Sequence, residues 1–419
     1  MKKIIFIFLL LPIFVAAQNI ASLTLQKAYE LAEQYYPLIK QRNLLKQTAG
    51  LSIENLSKGF LPQVSLNGQA SYQSHVTEIN IPLPGINITP PSKDQYKIIT
   101  DVNQLIFDGG LIKEQKNIQQ LNEETEQQKI EVELYKVKER INQLFLGVLF
   151  LDEQLKQAAL VKDDINTGIK KTEAMVNNGV AFRSNLNVLK AESLKADQRV
   201  IELKASRKGL LDVISLFIGE NLDENSILEK PQVANSINNE IQRPELKLFS
   251  AQQKLLGSQV KVIDAKNKPK ASMFWQGGYG RPGLNFLKND FTFFYTTGLR
   301  LNWALGGLYT QKQEKQLTAI NQKAVEIQKE IFLLNTNAAL KQQQSELDKL
   351  NQLIKKDEEI IELRIKVKEA AKAQLENGVI TANDYLREVN AEDGSRQSLI
   401  THTIQLLQAQ INYQTILGK

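Results

Sequence analysis

Between Leu308 and Asn377 the chain contains neither glycine nor proline, the two residues least tolerated inside a helix. A second run, Leu111 to Val176, has no proline and glycine only at Gly147 and Gly168. A helix of this size reaches roughly 100 Å at about 1.5 Å per residue, which exceeds the diameter of a compact domain. Along the later run, apolar residues recur at spacings of three and four. They are Ile320, Ala324, Ile327, Ile331, Leu334 and Ala338, then Leu353, Ile360, Leu363, Val367 and Ala370. That period predicts coiled-coil packing. In the earlier run, Thr125 and Gln128 interrupt the seam, so packing there is expected to be imperfect.

The two runs belong to a duplication. Tyr36-Pro37-Leu38 and Leu61-Pro62-Gln63 recur as Arg243-Pro244-Glu245 and Lys268-Pro269-Lys270, at one offset of 207 (244 − 37; 269 − 62). Phe107-Asp108-Gly109-Gly110-Leu111 corresponds to Ala304-Leu305-Gly306-Gly307-Leu308, and Asn178-Gly179-Val180 to Asn377-Gly378-Val379. Four landmarks in one order predict two structural repeats, 18–220 and 243–419, joined by a linking segment at 221–242. Each repeat reads helix, strand, strand, long helix, turn, helix. The first opening helix starts at Thr24 as N-cap and runs to Ser57, with a kink or split at Pro37. Strands are expected at 62–74, 96–107, 270–279 and 291–303, and long helices at 109–176 and 307–376. The helices after the turns are expected at 183–219 and 383–417.

Polarity follows residue parity in the strand regions. Val64, Leu66, Ala70 and Tyr72 alternate with Ser65, Asn67, Gln69 and Ser71. Ala271, Met273, Trp275 and Tyr279 alternate with Ser272, Gln276 and Gly278. The strongest alternation sets Phe291, Phe293, Tyr295, Leu299, Leu301 and Trp303 against Thr292, Thr296, Gly298, Arg300 and Asn302. The strand from Tyr96 to Phe107 is weaker, because Gln104 falls on its apolar face. Pro-rich and Gly-rich stretches, Ile81 to Pro91 and Gly280 to Gly283, read as the loops between paired strands.

Lys2 and Lys3, the apolar run Ile4 to Val15, and Ala16-Ala17 before Gln18 form a signal peptide, 1–17, with cleavage expected after Ala17. No other apolar stretch approaches the length of a spanning helix, so membrane insertion would have to use strands. The chain has no cysteine, and His75 and His402 are its only histidines. Disulfides and thiolate metal sites are excluded, and a histidine metal centre or Ser-His-Asp triad is disfavoured. No catalytic, cofactor-binding or metal-binding motif stands out, so an enzyme is the least favoured class. The formal charge of +6, or +4 without Lys2 and Lys3, is spread along helices among glutamates. It forms no basic patch for nucleic acid.

Two readings of the strands stay open: an ordinary sheet on a soluble core, and a membrane barrel with an apolar lipid face and a polar lumen. On the second, Tyr72, Trp275, Tyr279, Phe291, Phe293 and Trp303 are lipid-facing aromatics, while Asp101, Arg300 and Asn302 line the lumen. Four strands cannot close a barrel, and an open edge cannot persist in lipid, so several chains must pool their strands.

The landmarks together resemble the TolC-type outer-membrane efflux proteins, over nearly the whole mature chain. The carriers are Leu23-Thr24-Leu25 with Ala28, Ala32 and Pro37, Leu61-Pro62, Phe107-Asp108-Gly109-Gly110 and the two Asn-Gly-Val turns. The resemblance implies a mixed, mainly α fold, internally duplicated: a long coiled-coil helical barrel continuous with a transmembrane antiparallel β-barrel assembled from several subunits. It implies a homotrimer in the outer membrane, projecting into the periplasm, with a periplasmic adaptor and an inner-membrane pump as partners. It makes Asn178, Gly179, Val180, Asn377, Gly378 and Val379 adaptor-contact tips, and Asn187, Asp384 and Arg387 parts of the periplasmic aperture. Some members carry two aspartates a turn apart at this aperture. Asp384 matches the first, but Arg387 stands at the second, which suggests an i, i+3 ion pair instead. A periplasmic adaptor is the competing reading, since it too has a long helical hairpin; a coiled-coil filament is a third.

Overall fold

The computed structural model describes residues 22–77, 90–232, 240–286 and 288–419. The expected signal peptide and most of the Pro-rich loop therefore lie outside the described residues.

The chain opens with β1 (Ser22–Leu23) and α1 (Leu25–Tyr35). The Thr24 hydroxyl accepts from the Lys27 amide at 3.2 Å, as an N-cap does. Pro37 splits the opening helix: α1 stops at Tyr35 and α2 spans Ile39–Ser57. Strands β2 (Gln63–Tyr72) and β3 (Asp94–Phe107) follow, then α3 (Leu111–Asn177) and α4 (Arg183–Ile218). The linking segment contributes β4 (Ile227–Leu228), paired parallel with β1. The second half repeats the order with α5 (Pro244–Lys266), β5 (Lys270–Arg281), β6 (Thr292–Asn302), α6 (Leu308–Glu376) and α7 (Ala382–Leu417).

The contacts divide the chain into two units that do not coincide with the repeats, because each half contributes to both. One unit comprises 40–130 and 245–331. Its four-stranded antiparallel sheet has the order β2-β3-β5-β6, so the two halves supply adjacent hairpins. Below the sheet, Asn117 donates to Ser258 Oγ at 2.6 Å, and Gln253 donates to the Gln322 carbonyl at 2.6 Å. At the expected seam defects, the Thr125 hydroxyl bonds the Leu121 carbonyl of its own helix at 2.8 Å and Gln128 Oε1 is buried without a partner.

The other unit comprises the described residues of 22–39, 131–232, 240–244 and 332–419. Its main core packs Ile141, Phe145 and Val148 of α3 against Leu211, Ile214 and Ile218 of α4. Ile404, Leu407 and Ile411 of α7 and Leu23, Ala28 and Ala32 near the start complete it. Each fully buried large aliphatic or aromatic side chain stabilises the unit by about 1.5–3 kcal/mol. A second cluster gathers Ile165, Leu189, Leu375, Tyr385, Leu386 and Val389.

The single chain leaves the expected coiled-coil seam of α6 uncovered. Every seam residue named from the sequence, from Ile320 through Ala370, is exposed in the single chain. The buried stripe of α6 instead runs through Thr318, Thr336, Leu350, Asp357, Ile361, Ala371 and Leu375. Period alone locates an apolar face; it cannot say which face its own chain covers. Asp357 is tolerated there because His402 Nδ1 lies 2.5 Å from its Oδ2. Among the described residues no helix is long and apolar enough to cross a membrane.

Candidate functional site

The sheet has two unlike faces. The register sets Val64 opposite Val102 and Trp275, Gly68 opposite Ile98 and Tyr279, and Tyr279 opposite Phe293. With Leu66, Met273, Tyr295, Leu299 and Leu301 these make one broad apolar face. It is open to solvent; Phe293 is 87% exposed and Leu299 77%. Among the described residues nothing covers it, whereas an ordinary sheet on a soluble interior would bury one face. Monomers rarely expose apolar patches beyond a few hundred Å² (roughly 300–600).

Aromatic residues concentrate towards its ends. At the hairpin-loop end Tyr279 stacks on Phe291 at 5.6 Å, Phe291 on Tyr96 at 6.4 Å, and Phe293 tilts against Tyr279 at 4.6 Å. Arg281 lies over the Tyr96 and Phe291 rings and pairs with Asp94, and Tyr72 ends β2 opposite Asp94. At the helix end Trp303 donates Nε1–H to the Asn267 carbonyl at 3.0 Å. Between Phe293 and Trp303 the strand extends about 33 Å at about 3.3 Å per residue, or ~25 Å when tilted by ~40°. That matches the height of an apolar membrane band. Trp275 folds over Gly277, where a Cβ would come within 2.3 Å of the indole.

On the opposite face Asp101 is held by amides, accepting from Asn67 Nδ2 at 2.8 Å and Gln276 Nε2 at 2.6 Å. Arg300 lies 4.7 Å over the Phe274 ring, and Asn302 pairs with Lys270. Gln104 does fall on the apolar face, opposite Met273, and its amide donates to the Phe60 carbonyl. A register shift between Leu105 and Phe107 follows it. Gly280 and Arg281, read as loop from the sequence, belong to β5. The Tyr96 carbonyl approaches so closely that a Cβ at Gly280 would sit 2.7 Å from it, and glycine lets the strand continue.

Sheet and helices meet at two glycine pairs. At the first, the buried Asp108 carboxylate accepts from the Gly110 amide at 2.8 Å and the Ile112 amide at 2.5 Å, capping α3. Gly109 and Gly110 adopt φ of 75° and 86°. The second junction replaces this with a short 3-10 turn, Leu305–Gly307, without positive φ.

At the far ends of α3 and α6 the two turns share one geometry. The Val180 amide bonds the Met175 carbonyl at 2.8 Å, and the Gly179 amide bonds Val176 at 3.0 Å. The Val379 amide likewise bonds Gln374 at 2.9 Å, and Gly378 bonds Leu375 at 3.0 Å. With Gly179 at φ 73° and Gly378 at φ 71°, both are Schellman ends, with Asn178 and Asn377 just before the glycines. Val180 and Val379 stand exposed.

The next helices begin differently. Thr381 and Asp384 form a capping box: Asp384 Oδ2 accepts from the Thr381 amide at 3.1 Å and its hydroxyl at 2.7 Å. Thr381 Oγ1 in turn accepts from the Asp384 amide at 3.3 Å. Hydrogen bonds from Thr381 hold the Asp384 carboxyl below its ordinary range, with a lesser contribution from Arg387. The ion pair suggested by the spacing is replaced: Arg387 turns its Nε to Glu388 at 3.2 Å, while Asp384 caps the helix. In the first half the N-cap of α4 is Phe182, which makes no side-chain cap and is 82% exposed. The residue matching Asp384, three past the cap, is Asn185; Asn187 is exposed on the next turn.

Sequence reasoning missed both Phe182 and a charged group close to the second tip. Lys368 bridges Asp164 at 2.7 Å and Glu392 at 2.5 Å, and Arg396 reaches Glu392 at 2.7 Å. Burial opposes ionisation of Glu392, but hydrogen bonds from Lys368 and Arg396 win and hold its carboxyl below the usual range. Burial likewise opposes charge on Lys368, yet its two carboxylates raise its pKa. Burial, then the charges of Asp164 and Glu392, push the Tyr385 hydroxyl up to about 12. Only the i, i+4 pair Glu392–Arg396 was legible; Asp164 arrives from a helix in the other half.

No protein-family model matches the sequence, and no curated protein matches it. Solved structures do. The chain superposes on CusC, the subject of a study of folding and transmembrane channel formation, with a TM-score of 0.68 and 12% identity over 94% of this chain and 91% of that one. It matches the outer membrane protein VceC of Vibrio cholerae at 0.59 and 13% identity, over 94% and 96% of the chains. The CmeC outer membrane channel of Campylobacter jejuni gives 0.63 and 12%, over 94% and 85%. The fold is therefore that of the TolC-type outer-membrane channels.

Proposed function

We propose that this protein is the outer-membrane channel subunit of a tripartite efflux or type I secretion system. Three chains pool their strands into one barrel and their helices into a coaxial tube. The product is a passive exit duct across the periplasm, fed by an inner-membrane pump through a periplasmic adaptor. The chain catalyses nothing and holds no cofactor.

The observation that carries this reading is the sheet, with one uncovered apolar face and two unpaired edges, β2 and β6. In water such a sheet would aggregate; in lipid each unpaired backbone group would cost several kcal/mol (about 2–7). Closure with neighbouring copies satisfies the edges, and lipid covers the face. The exposed stripe on α6, from Ile320 to Ala370, supports the same partners, since copies of the chain can bury it. Asp101, Arg300 and Asn302 then face the lumen. Asn178 to Val180 and Asn377 to Val379, with Phe182, meet the adaptor, and Asn187, Asp384 and Arg387 lie at the aperture.

The test is to extract the mature protein from outer membranes in detergent and measure its oligomeric mass and single-channel conductance in a planar bilayer. A trimer that passes gated currents is expected. A soluble monomer or dimer without channel activity would discard the barrel and bring forward the adaptor reading. Reversing charge with Arg387→Glu should alter conductance; an unchanged current would remove Arg387 from the aperture.

A further inference from the structure

We propose that the groove beneath the apolar sheet face binds the phosphate headgroup of an anionic phospholipid in the periplasmic leaflet of the outer membrane. The site rests on the channel reading, which sets the helix end of the sheet at that leaflet. The groove encloses about 710 Å³ between the turn Lys58–Phe60 that precedes β2, the β3–α3 junction and α5. Its upper rim is apolar: Phe60 and Phe107 line it, and Leu61 and Ile106 beside them are exposed. Its lower wall is basic, with Lys113 and Lys116 from α3 and Lys261 from α5.

On α3, Lys113, Lys116, Asn117 and Gln120 share one helical face, at spacings of three and four, and Glu114, about 100° round from Lys113, also lines the groove, so the three lysines face one glutamate there. The other carboxylate, Asp108, is engaged by the Gly110 and Ile112 amides. Lys58 pairs with Glu54 and Lys315 with Asp264. Among the described residues Lys113, Lys116 and Lys261 take part in no ion pair. Three uncommitted ammonium groups directly below an aromatic rim match a lipid: acyl chains against the sheet, phosphate among the lysines. A free anion would use the lysines but not the rim. An anionic lipid uses both.

The experiment titrates detergent-solubilised protein with dioleoylphosphatidylglycerol or dioleoylphosphatidylcholine in mixed micelles and counts retained lipid by native mass spectrometry. The variants are K113Q, K116Q and K261Q, singly and together, beside a control triple, K341Q/K355Q/K372Q, of equal charge change. We expect wild type and the control to retain phosphatidylglycerol selectively. Affinity should fall about fivefold for each groove lysine removed and roughly a hundredfold for the triple, with conductance unchanged. Equal retention by the groove triple would overturn the site. So would equal retention of phosphatidylcholine, or displacement of the lipid by inorganic phosphate. Loss of the oligomer in the groove triple, with wild type intact, would assign the groove to a neighbouring copy instead. A wild type that neither oligomerises nor conducts would overturn the channel reading and this site with it, a result separate from all of these.

Discussion

The two halves of the chain solve the same two problems, starting a long helix from a strand and turning it back at its far end. At the turns they agree. Asn-Gly-Val closes both helices with the same pair of backbone hydrogen bonds and a glycine near φ 70°. At the strand–helix junctions they part, although both carry Gly-Gly. Asp108 caps the first helix through two backbone amides, and Gly109 and Gly110 sit at positive φ. Leu305 has no group to offer, and the second helix enters through a 3-10 turn. The helix starts beyond the turns part as well, with a Thr381–Asp384 box in one half and a bare Phe182 in the other. A repeated glycine keeps its geometry where the backbone hydrogen bonds define the motif. Where a side chain completes the motif, the copies diverge with that side chain.

Gly109→Ala probes that difference most sharply. Its Cβ would meet Lys268 Cβ at 2.7 Å and the Ala265 carbonyl at 3.0 Å, at a φ of 75°. Strain and crowding together should cost about 2–4 kcal/mol. Gly306→Ala, with open space and no positive φ, should be nearly silent. Thermal unfolding of the two proteins decides it; equal midpoints would erase the distinction between the junctions.

Asp108→Ala removes a buried cap and leaves two amides without partners, for about 2 kcal/mol. Leu305→Ala, at an exposed residue, should change the denaturant midpoint little, by about 0.5 kcal/mol or less. Below the Asp108 effect, Thr381→Ala should cost about 1 kcal/mol through loss of the box. Phe182→Ala should leave stability unchanged while weakening adaptor binding, which calorimetry with a purified adaptor would read.

The smallest effect is one of pH. Because folding lowers the Asp384 pKa, its contribution is complete above the ordinary carboxylate value of 3.8 and is lost as pH falls through the folded value. Amide exchange in the first turn of α7 should quicken on acidification, relative to the same turn of α4. Identical acid responses in the two turns would show that the capping box is not formed in solution.

Much of this was legible in residue order. Pro37 announced the split of the opening helix, Thr24 its cap, and parity the two faces of the sheet, including the misplaced Gln104. These are short-range consequences of backbone chemistry, so neighbours in sequence suffice to read them. The candidate site was only partly legible. The Asn-Gly-Val turns and the polar face of the sheet stood in recognisable patterns, whereas the Lys368–Asp164–Glu392 bridge joins Asp164 to residues about two hundred positions away.

What the sequence determined alone is the inventory: two helical hairpins, two strand hairpins and their turns. The tertiary structure decided allocation. It gave α6 a buried stripe containing Thr318, Thr336 and Asp357 and left the richer stripe from Ile320 to Ala370 outward. It turned Asp384 to Thr381 and Arg387 to Glu388. The physical reason is that periodicity specifies a face and spacing specifies reach, but which neighbour fills either depends on chain segments that meet only in the fold.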